Sequence, residues 1–387
     1  MAGGGLMQLV AVGAQDTYLT GNPQITFFRN VFRRHTNFAM ESIEQVFNGQ
    51  VAFGRKISST IARNADLVTS MFLQVKVPEI TKDDSEDYEW ADSFGHALLK
   101  MVEFDIGGTV IDKHYADWYE IKKELTTSES KKVGFNRMIN ADQAAGDYLY
   151  IPLQFYFNTS PGLALPMIAL QYHETKINIE FERLENLLKY TTDGGSTYVP
   201  GLKPGASIEP LDVSLFVDYV FLDSEERTKF AQEGHEYLIE AVQHTGAETW
   251  NTVNPKIKLN FNHPVKALYV VMHEDAEWDS LTYTDSLKRM KLQLNGQDRF
   301  PARPGSYFKL VEPYMRHTRV PDKPVYMYSF ALNPEQHQPS GTCNFSRIDN
   351  AQLHMDTDNK NGEIRVFATH YNILKIQSGM AGLSFAS

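Results

Sequence analysis

The stretch Leu67–Val77 reads LVTSMFLQVKV, and its period is two. Leu67, Met71, Leu73, Val75 and Val77 fall on one face, with Ser70, Gln74 and Lys76 on the other. Successive side chains of a strand point to opposite faces, so the pattern predicts a strand buried on one side and wet on the other. KINIEF repeats it, with Ile177, Ile179 and Phe181 set against Lys176, Asn178 and Glu180. IKLNF (Ile257, Leu259, Phe261) and LDVSLFVDYVF from Leu211 do the same. Half-wet strands belong to antiparallel sheets, because parallel sheets are covered on both faces and read as continuous apolar runs. The chain is therefore expected to be all-β.

Turn chemistry points the same way. VEFDI-GG-TVI sets Gly107 and Gly108 between two alternating runs, and MKLQL-NG-QDRF does so with Asn295 and Gly296. Both dipeptides suit a two-residue type I′ hairpin, which needs positive φ at both central positions. Helical patterns are few: Asp117 is placed to cap a helix carrying Trp118, Ile121 and Leu125, and EERTKFAQ from Glu225 makes two turns. Each half runs strand, Gly hairpin, irregular region, aromatic strand, Asn/Pro turn and another strand. In the first half the aromatic strand is LQFYFNTSPG, ending at Asn158 and Pro161; in the second it is YSFALNP, ending at Asn333 and Pro334. Two similar β-sandwiches in tandem, joined near Asp223–Gly234, account for the repetition. Surface loops are expected at Thr81–Asp92, Thr191–Gly205 and Met355–Gly362.

Composition bounds the function. The 387 residues suffice for two domains, at roughly 150–200 residues each. Aromatic residues reach 12%, with 23 Phe and 19 Tyr, which favours β structure. The net charge is −11 and no Lys/Arg run forms a phosphate-binding stripe, so direct nucleic-acid binding is not expected. One cysteine excludes an intrachain disulfide and suits a reducing compartment. MAGGGLMQLVAVGAQD has neither a basic n-region nor a long apolar core, and Ala2 rules out N-myristoylation.

Catalytic and metal motifs fail on spacing. His173-Glu174, His235-Glu236 and His273-Glu274 are followed at the metal-ligand position by Ile177, Ile239 and Glu277, never by His. HEDAEWD (His273–Asp279) reads as a solvated acidic loop. MDTDNKNGE resembles a calcium loop, yet aligning Gly362 to its glycine puts Thr357 at the first position and Ala368 where the bidentate carboxylate belongs. A hairpin loop is expected there. No GxxxxGK[ST] or GxSxG occurs. Sequons stand at Asn158 and Asn344, and without a signal peptide neither is expected to carry a glycan. In YSFALNPEQHQPSGTCNFSRID (Tyr328–Asp349), Cys343 lies near His337 and Glu335. VYMYSFAL reads as a strand covered on both faces and stopped at Asn333-Pro334. Pro339 and Gly341 fix the turn, and TCNFS returns as a strand with Cys343 and Phe345 facing inward. The thiol there is a small hydrophobe with no basic neighbour to activate it. No catalytic residue, metal ligand or cofactor site is expected.

Several long segments carry a family resemblance. They are GAQDTYLTGNPQITFFRNVFRRHTNFAMES (Gly13–Ser42), VEFDIGGTVIDKHYADW (Val102–Trp118) and YIPLQFYFNTSPGLALPMIALQYHETKI (Tyr150–Ile177) in the first half. LNFNHPVKALYVV (Leu259–Val271), LQLNGQDRF (Leu292–Phe300) and the Tyr328–Asp349 segment follow in the second. From about Gly3 to Gly382 the chain resembles the major capsid proteins of large icosahedral DNA viruses of the Chlorella-virus (phycodnavirus) type. The resemblance implies a double jelly-roll, two eight-stranded antiparallel sandwiches, preceded by an arm over residues 1–24. The first jelly-roll would span 25–223 and the second 224–387. It further implies a homotrimeric capsomer that meets neighbouring capsomers, minor capsid proteins and a penton. Assembly would take place in the host cytoplasm over an internal membrane that the chain does not span. Two other classes stay open at this level. A glycan-binding sandwich would need an exposed aromatic platform, for which Trp250 and Trp278 are the candidates; an enzyme would need Cys343 and His337 to meet.

Overall fold

The computed structural model describes residues 3–81, 88–140, 147–191, 198–275, 281–358 and 360–385. The chain divides into two compact units, Met1–Asn37 and Phe38–Ser387. The first carries helix α1 (Gly3–Val10) and a single helical turn at Thr17–Thr20, and its described residues are almost all exposed. A segment this short has too little apolar surface to bury a core of its own.

The second unit is built from two sets of eight principal strands. The first set is β1 (Phe38–Gln45), β2 (Lys56–Thr60), β3 (Leu67–Lys76), β4 (Leu99–Ile106), β5 (Thr109–Tyr115), β6 (Tyr148–Pro152), β7 (Thr175–Phe181) and β8 (Asp212–Leu222). The second is β9 (His235–Trp250), β10 (Lys256–Lys258), β11 (Pro264–Glu274), β12 (Leu287–Leu294), β13 (Gln297–Asp298), β14 (Tyr326–Ser329), β15 (Ala351–Thr357) and β16 (Gly362–Gln377). Strands in the first set pair in the orders β1-β8-β3-β6 and β2-β7-β4-β5. In the second set the orders are β9-β16-β11-β14 and β10-β15-β12-β13, position for position the same. All these pairings are antiparallel, and β7 buries its residues in strict alternation. β3 alternates from Met71 onward, but a bulge before Met71 puts Val68 in the core and turns Leu67, expected on the Met71 face, to the other side. Each half is a jelly-roll, two four-stranded sheets packed face to face over a core. Helix α4 (Ser224–Gln232), capped by the Asp223 carboxylate, links them.

The dipeptide turns sit between β4 and β5 and between β12 and β13. Their φ angles are 60° and 84° at Gly107 and Gly108, and 47° and 80° at Asn295 and Gly296. At Gly107 an added Cβ would lie 2.6 Å from the His173 ring, so only glycine fits.

Several expectations fail, for identifiable reasons. LQFYF does not continue as a strand: β6 ends at Pro152, and Tyr156–Thr159 forms a helical turn. Phe155, Tyr156 and Phe157 are all buried, each packing on Phe104, and a strand cannot turn three successive side chains to one side. The Asn158 Oδ1 accepts from the Phe155 N–H (3.0 Å) and its Nδ2 donates to the Thr69 carbonyl (2.9 Å), which fixes the turn. Asn158→Ala is expected to lower stability by about 1–2 kcal/mol in urea unfolding. The aromatic strand of the second half is likewise short, Tyr326–Ser329, so the true counterparts are LYIP and YMYS. Of IKLNF only Ile257 and Lys258 pair in the ladder, although the burial alternation persists through Phe261. TCNFS pairs at Cys343–Asn344 alone before a 3₁₀ turn at Phe345–Arg347.

The expected loops at Thr81–Asp92 and Thr191–Gly205 carry strands of their own. Tyr88–Trp90, Leu188–Thr191 and Tyr198–Pro200 form a small sheet, held by cross-strand contacts such as Lys189 to Glu89 at 3.0 Å. Residues 82–87, 192–197, 276–280 (with Glu277 and Trp278) and 359 lie outside the described residues. The segment after Met355 is not a hairpin loop, because β15 and β16 belong to different sheets.

Candidate functional site: an ionic joint between the two sandwiches

Between β5 and β6 the chain forms helices α2 (Ala116–Thr126, ADWYEIKKELT) and α3 (Glu129–Ile139). Asp117 does not cap α2; Tyr115 occupies that position, and Asp117 lies inside the first turn, buried. The helix carries two adjacent stripes at i, i+3, i+7 spacing. Trp118, Ile121 and Leu125 are the apolar stripe, and Asp117, Glu120 and Glu124 the acidic one. Both stripes face the second sandwich. The apolar one packs into a cluster with Tyr269, Val271, Val325, Met327 and Phe367, with Trp118 edge-on to Tyr269 at 5.5 Å.

Each acid meets cations or donors from the other half. Asp117 Oδ2 accepts from Arg365 Nη1 at 2.6 Å; His273 Nε2 lies 3.1 Å from Oδ1, and the Tyr283 hydroxyl donates to Oδ1 at 3.2 Å. Burial alone would raise the Asp117 carboxyl, but His273 and Arg365 outweigh it and hold the group well below the carboxylate range. Glu120 contacts Lys323 Nζ at 2.9 Å, Lys123 Nζ at 2.8 Å and His96 Nδ1 at 2.9 Å. Against its burial, the His96 hydrogen bond and the charges of Lys323 and Lys123 hold Glu120 well below the carboxylate range, while burial pushes His96 down. The Glu124 carboxylate pairs with Arg319 Nη2 at 2.8 Å and accepts from the Asp322 backbone N–H at 2.9 Å, while Arg319 Nε donates to the Glu124 backbone carbonyl at 2.9 Å. Buried charges are tolerated only where paired in this way, and removing one partner leaves the other uncompensated.

A cavity of about 90 Å³ lies along the same junction, lined by residues of both halves, among them His114, Gln154, Tyr156, Lys266 and His317. The His114 Nδ1, Gln154 Oε1, Tyr156 hydroxyl and His317 Nε2 are buried there without protein partners. A polar chamber of that size suits a few waters, at ~30 Å³ each.

The residues singled out in the sequence do not converge. Glu335 bonds His317 Nδ1 at 2.8 Å, and His337 Nδ1 faces Glu240 at 3.7 Å. Cys343 pairs with Val265 at the margin of the second core, and burial raises its thiol. Around them, Asn333 N–H donates to the Ser340 hydroxyl at 3.0 Å, Pro334 is buried, and Pro339 and Gly341 close the turn. Gly341 has φ 134°, and a Cβ there would stand 2.8 Å from the Phe330 carbonyl oxygen. Gly341→Ala is expected to lose about 2 kcal/mol, read as a lower urea midpoint.

Trp250 is fully buried, with its Nε1 donating to Thr357 Oγ1 at 2.9 Å, so it is no exposed glycan platform. Trp278 is outside the described residues. At Asn344 the side-chain oxygen accepts from Ser346 N–H at 3.0 Å. No group of three or more His, Cys, Asp or Glu side chains able to hold a metal occurs among the described residues. No described helix is long and apolar enough to cross a membrane.

Two family models match the chain. One, for the N-terminus of major capsid proteins, covers residues 26–223; the other, for the large eukaryotic DNA virus major capsid protein, covers 226–382. The chain is 48% identical to the major capsid protein of Pyramimonas orientalis virus, over all of both chains. It is 40% identical to that of Paramecium bursaria Chlorella virus 1, covering 99% of this chain and 100% of the relative. Among solved structures, a quasi-atomic model of the PBCV-1 virus capsid aligns with a TM-score of 0.81 at 36% identity, over 94% of this chain and 100% of that one. The Faustovirus major capsid protein shares the fold at 13% identity, with a TM-score of 0.76 and coverage of 95% and 94%.

Proposed function

Because the chain belongs to the major capsid proteins of large eukaryotic DNA viruses, we propose that three copies assemble into a pseudo-hexagonal capsomer. Its role is structural rather than catalytic: it forms part of the virion shell beside neighbouring subunits. One observation carries the trimer reading. The same strand order occurs twice in one chain, and a buried ionic helix bolts the two copies together. Three chains then carry six nearly equivalent sandwiches, so a threefold object has a sixfold outline, which tiles a shell through repeated contacts.

In this reading residues 1–24 are an arm, 25–223 the first jelly-roll and 224–387 the second. Minor capsid proteins, a penton and an internal membrane lie beside or beneath the capsomers, and assembly takes place in the host cytoplasm. A net charge of −11 suits a shell held away from the genome.

Light scattering on the purified protein tests the trimer. Three chains per particle is the expected mass, and one chain at micromolar concentration would overturn it. Deleting Met1–Asn22 is expected to leave the trimer folded while impairing lattice growth, because the described residues of that segment are almost all exposed.

A further inference from the structure

The duplicated strand order makes the connections between equivalent strands comparable. In the first half, the β5–β6 connection holds α2, which docks on the outer face of the second sandwich. In the second half, the β13–β14 connection holds a π-type turn, Tyr307–Val311, running into helix α5 (Glu312–Arg316). One side of this element packs on its own sandwich through buried Phe308 and Glu312. The other side is uncovered: Tyr314 is 79% exposed, Met315 57%, Leu310 49% and Val311 41%. Leu332, also exposed, extends the patch, held beside the helix by Arg316 Nη1 donating to its carbonyl at 3.1 Å. A monomer in water has no reason to present such a face.

The matching receptor is on the first sandwich. On the second sandwich, α2 covers a row in which Tyr269 of β11 stands opposite Phe367 of β16, with Met327 of β14 beyond. The equivalent strands of the first sandwich are β3, β8 and β6. There Phe72 stands opposite Phe216, stacked at 5.3 Å, with Pro152 and Tyr150 beyond. Phe72 is the sixth residue of its strand and Tyr269 the sixth of its own. Under α2, Tyr269 and Phe367 are 4% and 0% exposed. By contrast Phe72 and Phe216 are only half-buried, while Tyr148 and Tyr150 are exposed. An uncovered apolar helix and an uncovered aromatic row thus remain in one chain, and their counterparts are joined to each other.

We infer that Leu310, Val311, Tyr314 and Met315 of one copy dock on the Phe72–Phe216–Tyr150 face of the next copy. The contact repeats between chains the junction that α2 makes within one. It is head-to-tail, so it either closes into a ring or grows without end, and closure at three copies rests on the trimer reading above.

The test uses the full chain. Tyr314→Glu with Met315→Glu is expected to reduce the particle threefold, from three chains to one, with an unchanged far-UV spectrum and a melting temperature lowered only by the lost association. Phe72→Glu with Tyr150→Glu is expected to do the same. Since the second pair touches a packed sheet, a photo-crosslinking residue at position 314 of the otherwise unaltered protein gives an independent reading. Mixed with isotopically labelled copies, it should capture peptides from β3, β6 or β8 of another molecule. Wild-type protein that is already one chain would sink the trimer reading itself. A wild-type trimer whose Tyr314/Met315 variant stays trimeric overturns the docking assignment alone. So does a crosslink to residues 3–37 or to the second sandwich.

Discussion

Asp117→Asn is expected to lower the unfolding free energy by about 3 kcal/mol near neutral pH, the largest loss of any single side-chain change near the junction. The substitution keeps the shape but removes the charge that Arg365, His273 and Tyr283 surround. Arg365 is then left largely buried without its main counter-ion; Glu363 at 2.8 Å remains beside it. Urea unfolding of the wild type, Asp117→Asn, Arg365→Met and the double variant forms a cycle that isolates the pair. A coupling within a few tenths of a kcal/mol of zero would show that the joint is held by its apolar stripe alone. The pH dependence has a definite sign. The folded state holds this carboxyl below its unfolded range, so its stabilisation is complete above about pH 4 and fades as acid protonates it. Asp117→Asn should flatten that part of the acid limb.

The second large effect comes from histidines. Burial pushes His370 and His244 down to about 4 from an ordinary 6.5. His370 stacks on His263 at 4.9 Å, and His244 on Phe367 at 4.4 Å; the charges of Asp112 near His370 and Asp117 near His244 offset only part of the burial. Below pH 6.5 the unfolded chain binds protons that the folded chain refuses, so stability falls as the pH drops from about 6.5 to about 4. For His370 the loss amounts to about 3 kcal/mol, with somewhat less for the more accessible His244. His370→Gln is expected to cost some stability at pH 7.5 yet to narrow the gap between pH 7.5 and pH 4.5. An unchanged gap would mean that this ring does not titrate as its burial demands. Acid weakening therefore has two stages, histidines first and the junction carboxylates after.

Much of the fold was legible because period two is a local property. Thr175–Phe181 alternates as its sequence says, and so does Met71–Val77, since each residue's face follows from its neighbours. Leu67 does not share their face, because a bulge before Met71 turns Val68 into the core instead. The turns at Gly107-Gly108 and Asn295-Gly296 were legible for the same reason: positive φ is a demand on two residues. Strand ends were not. LQFYF has every local mark of a strand, yet the core needed three successive aromatics on one side, and Asn158 supplied the turn.

The acidic stripe of α2 was readable in principle. Asp117, Glu120 and Glu124 share the spacing of Trp118, Ile121 and Leu125, and two parallel stripes signal a helix buried on more than one side. Assigning Asp117 to the cap hid it, because a first-turn acid usually serves the helix dipole. The partners could not be found from sequence, since His273, Lys323 and Arg365 lie some 150 to 250 positions away.

The sequence by itself determined an all-β chain, its hairpins, its duplication and, through long ordered segments, its family. Each rests on side chains close in the chain, where covalent geometry decides which face a residue takes. Only the tertiary structure decided that the two sandwiches share one strand order, that a helix of the first is pinned into the second by buried charge, and that its counterpart in the second is left uncovered. Those facts depend on which distant surfaces meet, and that is settled by shape, desolvation and charge pairing across the whole unit.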